Sequence, residues 1–170
     1  MLQRIYMQPI IASDIGFHSG LPQTIYGVVM IGVVLALNSA AIVATILFFK
    51  SSLSKSASLS KLKANILFVV CTQLLALAQL GLIAVWAGSL VWIGLFQDWE
   101  PSLRFSASSY TTMGIFTVEL PDGWHLTPTF IAFSGLFSFA WAATSTITML
   151  STLTNYLENI QKGSKGTKPN

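Results

Sequence analysis

Hydrophobic and polar positions fall into long blocks along this chain instead of the short alternations of a water-soluble domain. Three stretches hold no charged residue at all: 23–49, 64–97 and 126–157. Each can cross a hydrocarbon core, which takes about 20 apolar residues in a helix. Helices are predicted over 25–49, 64–96 and 128–153, with a segment 1–23 before the first and a tail 154–170 after the last. Gly20, Leu21 and Pro22 are read as a break that ends any structure ahead of the first helix. The second block would reach about 50 Å as one helix, so it must tilt, kink or protrude.

Composition strengthens the pattern. Hydrophobic residues make up 53% of the 170 positions and charged residues only 9%, against about 25% charged in an ordinary soluble domain. The expected fold class is therefore an all-α integral membrane protein, one compact unit with a membrane domain over 24–153 and lipid as its surroundings. The first block is too long and starts too far from Met1 for a cleaved signal peptide, and it lacks a basic segment immediately before it.

Charge sets the expected topology. Lys50, Lys55, Lys61 and Lys63 lie between the first two blocks, and Lys162, Lys165 and Lys168 lie in the tail. Asp14, Asp98, Glu100, Glu119 and Asp122 lie on the other side, with Arg4 and Arg104. Seven of nine basic residues on one side and five of six acids on the other place the N-terminus outside and the tail in the cytoplasm. These lysines flank membrane spans without interleaved aromatics, so no nucleic acid is expected as a partner.

Catalytic chemistry is sparse. His18 and His125 are the only histidines and lie outside the spans without a partner at ligand spacing, so no metal, no cofactor and no enzyme activity are expected. His125 is read as an interfacial packing residue. The single cysteine, Cys71, excludes an intrachain disulfide and reads as a small buried hydrophobe. No acid or base stands inside a span to relay protons. Asn38, Ser39, Gln73 and Gln79 are polar at membrane depth and are expected to face protein, hydrogen-bonding between helices. Trp86 and Trp92 suit the outer interface. The hydroxyls of Thr144, Ser145, Thr146 and Thr148 either line an inner vestibule or bond back to their own helix. The aromatic residues of the third helix, Phe130, Phe133, Phe137, Phe139 and Trp141, are read as packing or lipid-facing.

Residues 97–126 do not read as a simple loop. Asp98, Trp99, Glu100 and Pro101 form a helix start with acids placed where the helix dipole favours them. A short half-apolar helix follows to about Thr112. Residues 113–120 then have β-type composition, and Pro121, Asp122 and Gly123 make a turn. A short helix and an extended segment between two spanning helices form the plan of a re-entrant pore loop, here over 100–122.

The run Ser109-Tyr110-Thr111-Thr112-Met113-Gly114, continuing to Val118-Glu119-Leu120-Pro121-Asp122-Gly123-Trp124, resembles the pore loop of bacterial two-pore-domain-like potassium channels, whose pattern is close to TTLGYGDIVLPxGW. Residues 132–141 are similar to that family's inner helix, and the three-helix layout resembles its small members with one extra N-terminal helix. The resemblance covers about 64–153. It implies a homotetramer around a central axis in the cytoplasmic membrane of a bacterium, a filter made by Thr111, Thr112, Met113, Gly114, Ile115, Phe116 and Thr117, and a hinge at Gly135. It also puts Glu119 and Asp122 at the outer mouth.

Three positions depart from that pattern: Ile115 replaces the tyrosine, Phe116 the second glycine and Thr117 the aspartate. A potassium filter points successive carbonyls at one axis, and alternate residues then need backbone regions that only glycine enters freely. Passive, non-selective passage of monovalent cations is the expected function. The alternative is a non-conducting, channel-derived accessory subunit of a larger membrane assembly, of the respiratory, oxygenase or photosynthetic kind, with other membrane subunits as partners.

Overall fold

The computed structural model describes residues 17–55, 60–115 and 118–165. Every regular element among them is a helix: α1 Phe17–Lys55, α2 Lys61–Trp92, α3 Trp99–Tyr110 and α4 Thr127–Lys165. Three of these, α1, α2 and α4, are long and apolar enough to cross a membrane, and the chain is a membrane protein.

The long helices share one polarity pattern. At one end the start of α1 meets the end of α2 and the start of α4: Tyr26 OH donates to Ser89 Oγ at 2.7 Å, and the Tyr26 ring lies 5.6 Å from that of Trp124. At the opposite end Phe49 packs edge-on against Phe68, and Leu53 joins Ala64, Met149 and Leu153 in one buried cluster. So α1 and α4 run in the same direction, with α2 antiparallel to both. The lysines of 50–63 and 162–165 collect at the second end, and the acids of 98–122 at the first.

The helices outrun their uncharged blocks. Helix α1 extends to Lys55 and α4 to Lys165; the buried face of α1 continues past the charge at Lys50, and that of α4 continues past its expected end at 153. Leu53 follows Phe49 by four residues, and Leu153, Tyr156 and Leu157 carry the stripe of α4 onward against the same cluster. At 1.5 Å per residue α4 is about 58 Å long, so part of it stands outside a hydrocarbon core of about 30 Å.

The expected break at Gly20, Leu21 and Pro22 is not observed. Pro22 lies inside α1, where its missing N–H removes a single helical bond near the helix start. Helix α2, in contrast, stops short of 96. Ile93 caps it and Gly94 turns at φ +77°, with Gly94 N donating to Val91 O at 2.9 Å and Leu95 N to Leu90 O at 3.0 Å. This paired closure needs a left-handed residue. A Gly94→Ala change puts a Cβ into that conformation at a cost of about 1–2 kcal/mol, read as a lower midpoint for thermal unfolding in detergent.

Two polar or amphipathic residues also sit elsewhere than expected. Trp86 is fully buried, its Nε1 donating to Ser134 Oγ at 2.9 Å, since an indole away from water needs an acceptor. Trp92 is exposed. Gln73 is exposed on the chain's surface, while Asn38 and Gln79 are buried. Cys71 is buried in the cluster around Phe49.

Candidate functional site

Helix α3 runs alongside α2, back towards the middle of the bundle. Its first residue, Trp99, lies against Gly88, where a Cβ would stand 3.6 Å from the ring. Ser102 Oγ then donates to Ala87 O at 2.8 Å, and at the far end Tyr110 OH donates to Gln79 Oε1 at 2.9 Å. The contacts move from position 87 to position 79 of α2, about 12 Å along its axis. At the α3 start Glu100 meets Arg104 at 2.6 Å; both side chains are exposed, and such a pair adds little stability.

The C-terminal end of α3 is held on three sides. Gly135 of α4 comes so close that a Cβ there would lie 2.2 Å from the Tyr110 carbonyl oxygen. The phenol ring stacks edge-on against Phe139 at 5.5 Å, and the hydroxyl is fixed by Gln79. The bonding continues past Gln79: its Nε2 donates to Asn38 Oδ1 at 2.9 Å, and Asn38 Nδ2 donates to Ser138 O at 3.5 Å. One donor chain thus joins all four helices at mid-bundle.

Past Tyr110 the backbone closes as α2 does. Thr112 N donates to Ser109 O at 3.0 Å and Met113 N to Ser108 O at 2.9 Å. The left-handed position that glycine takes after α2 is here Thr112, at φ +58°. A β-branched residue at positive φ is a true outlier, costing about 1–3 kcal/mol and persisting only where the surroundings over-determine it. Gly114 follows at φ +63°. Thr111 Oγ1 donates to Ala107 O and Thr112 Oγ1 to Thr111 O, both at 2.7 Å.

The proposed filter residues fall as follows. Thr111, Thr112, Met113, Gly114 and Ile115 form one exposed run, with Met113 62% and Ile115 75% accessible. Phe116 and Thr117 lie outside the described residues. Of the extended strand expected over 113–120, the described residues 113–115 and 118–120 are irregular, and among the described residues there is no strand for them to pair with. Leu120 is buried and ties the segment to the core around Trp86. A turn then runs from Pro121 to Trp124, with Gly123 at φ +86°. Glu119 and Asp122 are exposed in this segment, and His125 Nε2 stands 3.7 Å from Asp122 Oδ1. Gly135 lies within uninterrupted α4 as a point of close approach to Tyr110.

An open groove of about 430 Å³ lies beside the loop, bounded by Phe105, Ser109, Thr112, Gly114, Pro128 and Ala132. Lower on α4, Thr144, Ser145, Thr146 and Thr148 each donate to a carbonyl of their own helix four residues earlier. Among the described residues no three His, Cys, Asp or Glu side chains gather into a metal-binding group.

Sequence reasoning picked out Asn38 and Gln79 as polar at membrane depth, but it missed Tyr110 as their partner. The signal was there in a phenol at the end of a short helix, since a buried Tyr hydroxyl requires an acceptor. Compared with protein-family models, curated proteins and solved structures, the chain finds no match.

Proposed function

We propose that this chain is a potassium-channel-like pore-loop protein of a bacterial cytoplasmic membrane, a homotetramer that passes monovalent cations passively and without potassium selectivity. The observation that carries this reading is the path of α3. It enters from the end of the bundle that holds the acids, stops beside Gln79 at mid-bundle, and leaves Thr111 to Ile115 exposed. Non-helical backbone at membrane depth is stable only against protein or water. Neighbouring copies around a water-filled axis supply both.

In this arrangement the acid-bearing end faces outward and the lysine-bearing end faces the cytoplasm, following the positive-inside rule. Exposed Glu119 and Asp122 concentrate cations at the mouth. Selectivity fails for a reason of backbone chemistry. Of the two glycines a potassium filter uses, only Gly114 remains, and it does take a positive φ; Ile115, Phe116 and Thr117 replace the rest of the pattern.

The reading is tested by cation efflux from proteoliposomes and by planar-bilayer recording. Potassium and sodium are expected to pass at comparable rates. A combined Glu119→Gln and Asp122→Asn change lowers the flux most at low ionic strength, where surface charge acts over about 30 Å. Silence towards every cation at all voltages and pH values overturns conduction, and leaves the chain as a channel-derived subunit of a larger assembly.

A further inference from the structure

The groups that hold Tyr110 are dispersed over the whole sequence: Asn38 on α1, Gln79 on α2, Gly135 and Phe139 on α4. They converge on the residue two positions before Thr112, the one non-glycine position at positive φ among the described residues of the loop. Helix packing alone does not require that convergence. The three long helices already share two extensive apolar clusters, one around Trp86 that includes the Tyr110 ring and one around Phe49, and Gln79 and Asn38 belong to neither. Its links point one way, from the Tyr110 hydroxyl to Gln79, from the Gln79 amide to Asn38, and from the Asn38 amide to the Ser138 carbonyl. Donor chains aligned head to tail strengthen one another in a low-dielectric interior.

We infer that Tyr110, Gln79 and Asn38 are positioning residues for the loop, forming a clamp that keeps Thr112 in its left-handed conformation and thereby sets where Met113, Gly114 and Ile115 stand. In this role α1 is part of the site's support through a single amide, Asn38. Without the clamp, Thr112 relaxes to negative φ, the closure of α3 onto the Ser108 and Ser109 carbonyls opens, and the exposed run moves. The consequence for ion flow rests on the pore-loop reading, but the clamp does not, and the test keeps the two apart.

The reporter is a single cysteine, Met113→Cys, in a Cys71→Ala background, with the full chain reconstituted in liposomes and labelled by a hydrophilic maleimide. Tyr110→Phe removes only a hydroxyl and keeps the ring on Phe139, so it spares the packing. It is expected to change the labelling rate about fivefold or more, the scale of coupling between contacting residues, and Gln79→Leu and Asn38→Leu are expected to change it in the same direction. Thr112→Gly removes the strain that the clamp holds, so in that background Tyr110→Phe should leave the rate unchanged. A labelling rate indifferent to Tyr110→Phe and Gln79→Leu overturns the clamp, as does an equal change with and without Thr112→Gly, which marks a merely structural disturbance. Labelling is read whether or not ions flow. A silent protein with coupled labelling overturns conduction alone, and a conducting protein with uncoupled labelling overturns the clamp alone.

Discussion

Gly135→Ala is expected to be among the most damaging single-methyl changes in this protein. The added carbon would meet the Tyr110 carbonyl oxygen at 2.2 Å, its carbon at 3.0 Å and the ring at 3.1 Å. The obstacle is backbone at the end of a helix, so no rotamer change relieves it. Either α3 or α4 must move. Overpacking of a tight interface costs about 1–3 kcal/mol and more when backbone is displaced, and here the displacement also pulls Tyr110 away from Gln79. Gly81→Ala is the matched control, because nothing lies within 4 Å of its Cβ position. In the interior of a helix that change gains about 0.8–1 kcal/mol of helix propensity. Thermal unfolding of the two variants in the same detergent should give midpoints displaced in opposite directions from wild type. A Gly135→Ala protein as stable as wild type would mean that α4 does not approach α3 this closely.

The largest functional change is expected from the combined substitution Ile115→Tyr, Phe116→Gly and Thr117→Asp. It restores a glycine at the second position that needs left-handed backbone, together with the hydroxyl and carboxylate that the potassium-channel pattern places around it. Carbonyl rings that replace an ion's hydration shell can then form. Bi-ionic reversal potentials in planar bilayers are expected to shift from near zero towards the potassium equilibrium potential. The intermediate Phe116→Gly variant should raise conductance without conferring selectivity, since it frees the backbone but adds none of the supporting hydrogen bonds. If the triple variant conducts with unchanged reversal potential, residues 115–117 do not form the selective part of the pathway.

The three spans were legible because an uncharged run long enough to cross lipid is a property of composition alone and survives any detail of packing. The helix ends were not. The charge at Lys50 closes the first uncharged block, yet Leu53 keeps one apolar face going past it, and on α4 Tyr156 and Leu157 keep packing beyond the expected end at 153. The end of α2 was hidden for the opposite reason: Leu95 and Phe96 keep the block apolar beyond Gly94, whose positive φ is what ends the helix. Trp86 illustrates a third limit. An indole fits an interface or a dry core equally well by composition, and the choice is made by Ser134, 48 residues away in sequence. In the candidate site the run from Thr111 to Gly114 could be read directly, since its residues are contiguous. The hold on Tyr110 could not, because it depends on how α1, α2 and α4 are rotated about their axes, and nearly uniform apolar helices carry little sign of that rotation.

That near-uniformity gives the layer of Asn38, Gln79 and Tyr110 a second consequence. Apolar helices in lipid can slide past one another by a turn with little change in the surface they bury, because lipid tails cover the remainder as well as protein does. A slide of one turn, about 5.4 Å, would carry Gln79 away from both its partners and leave an amide and a phenol unpaired in hydrocarbon. The polar layer thus makes one vertical register of the four helices distinct from its neighbours. During assembly it tells α1, α2 and α4 when to stop moving.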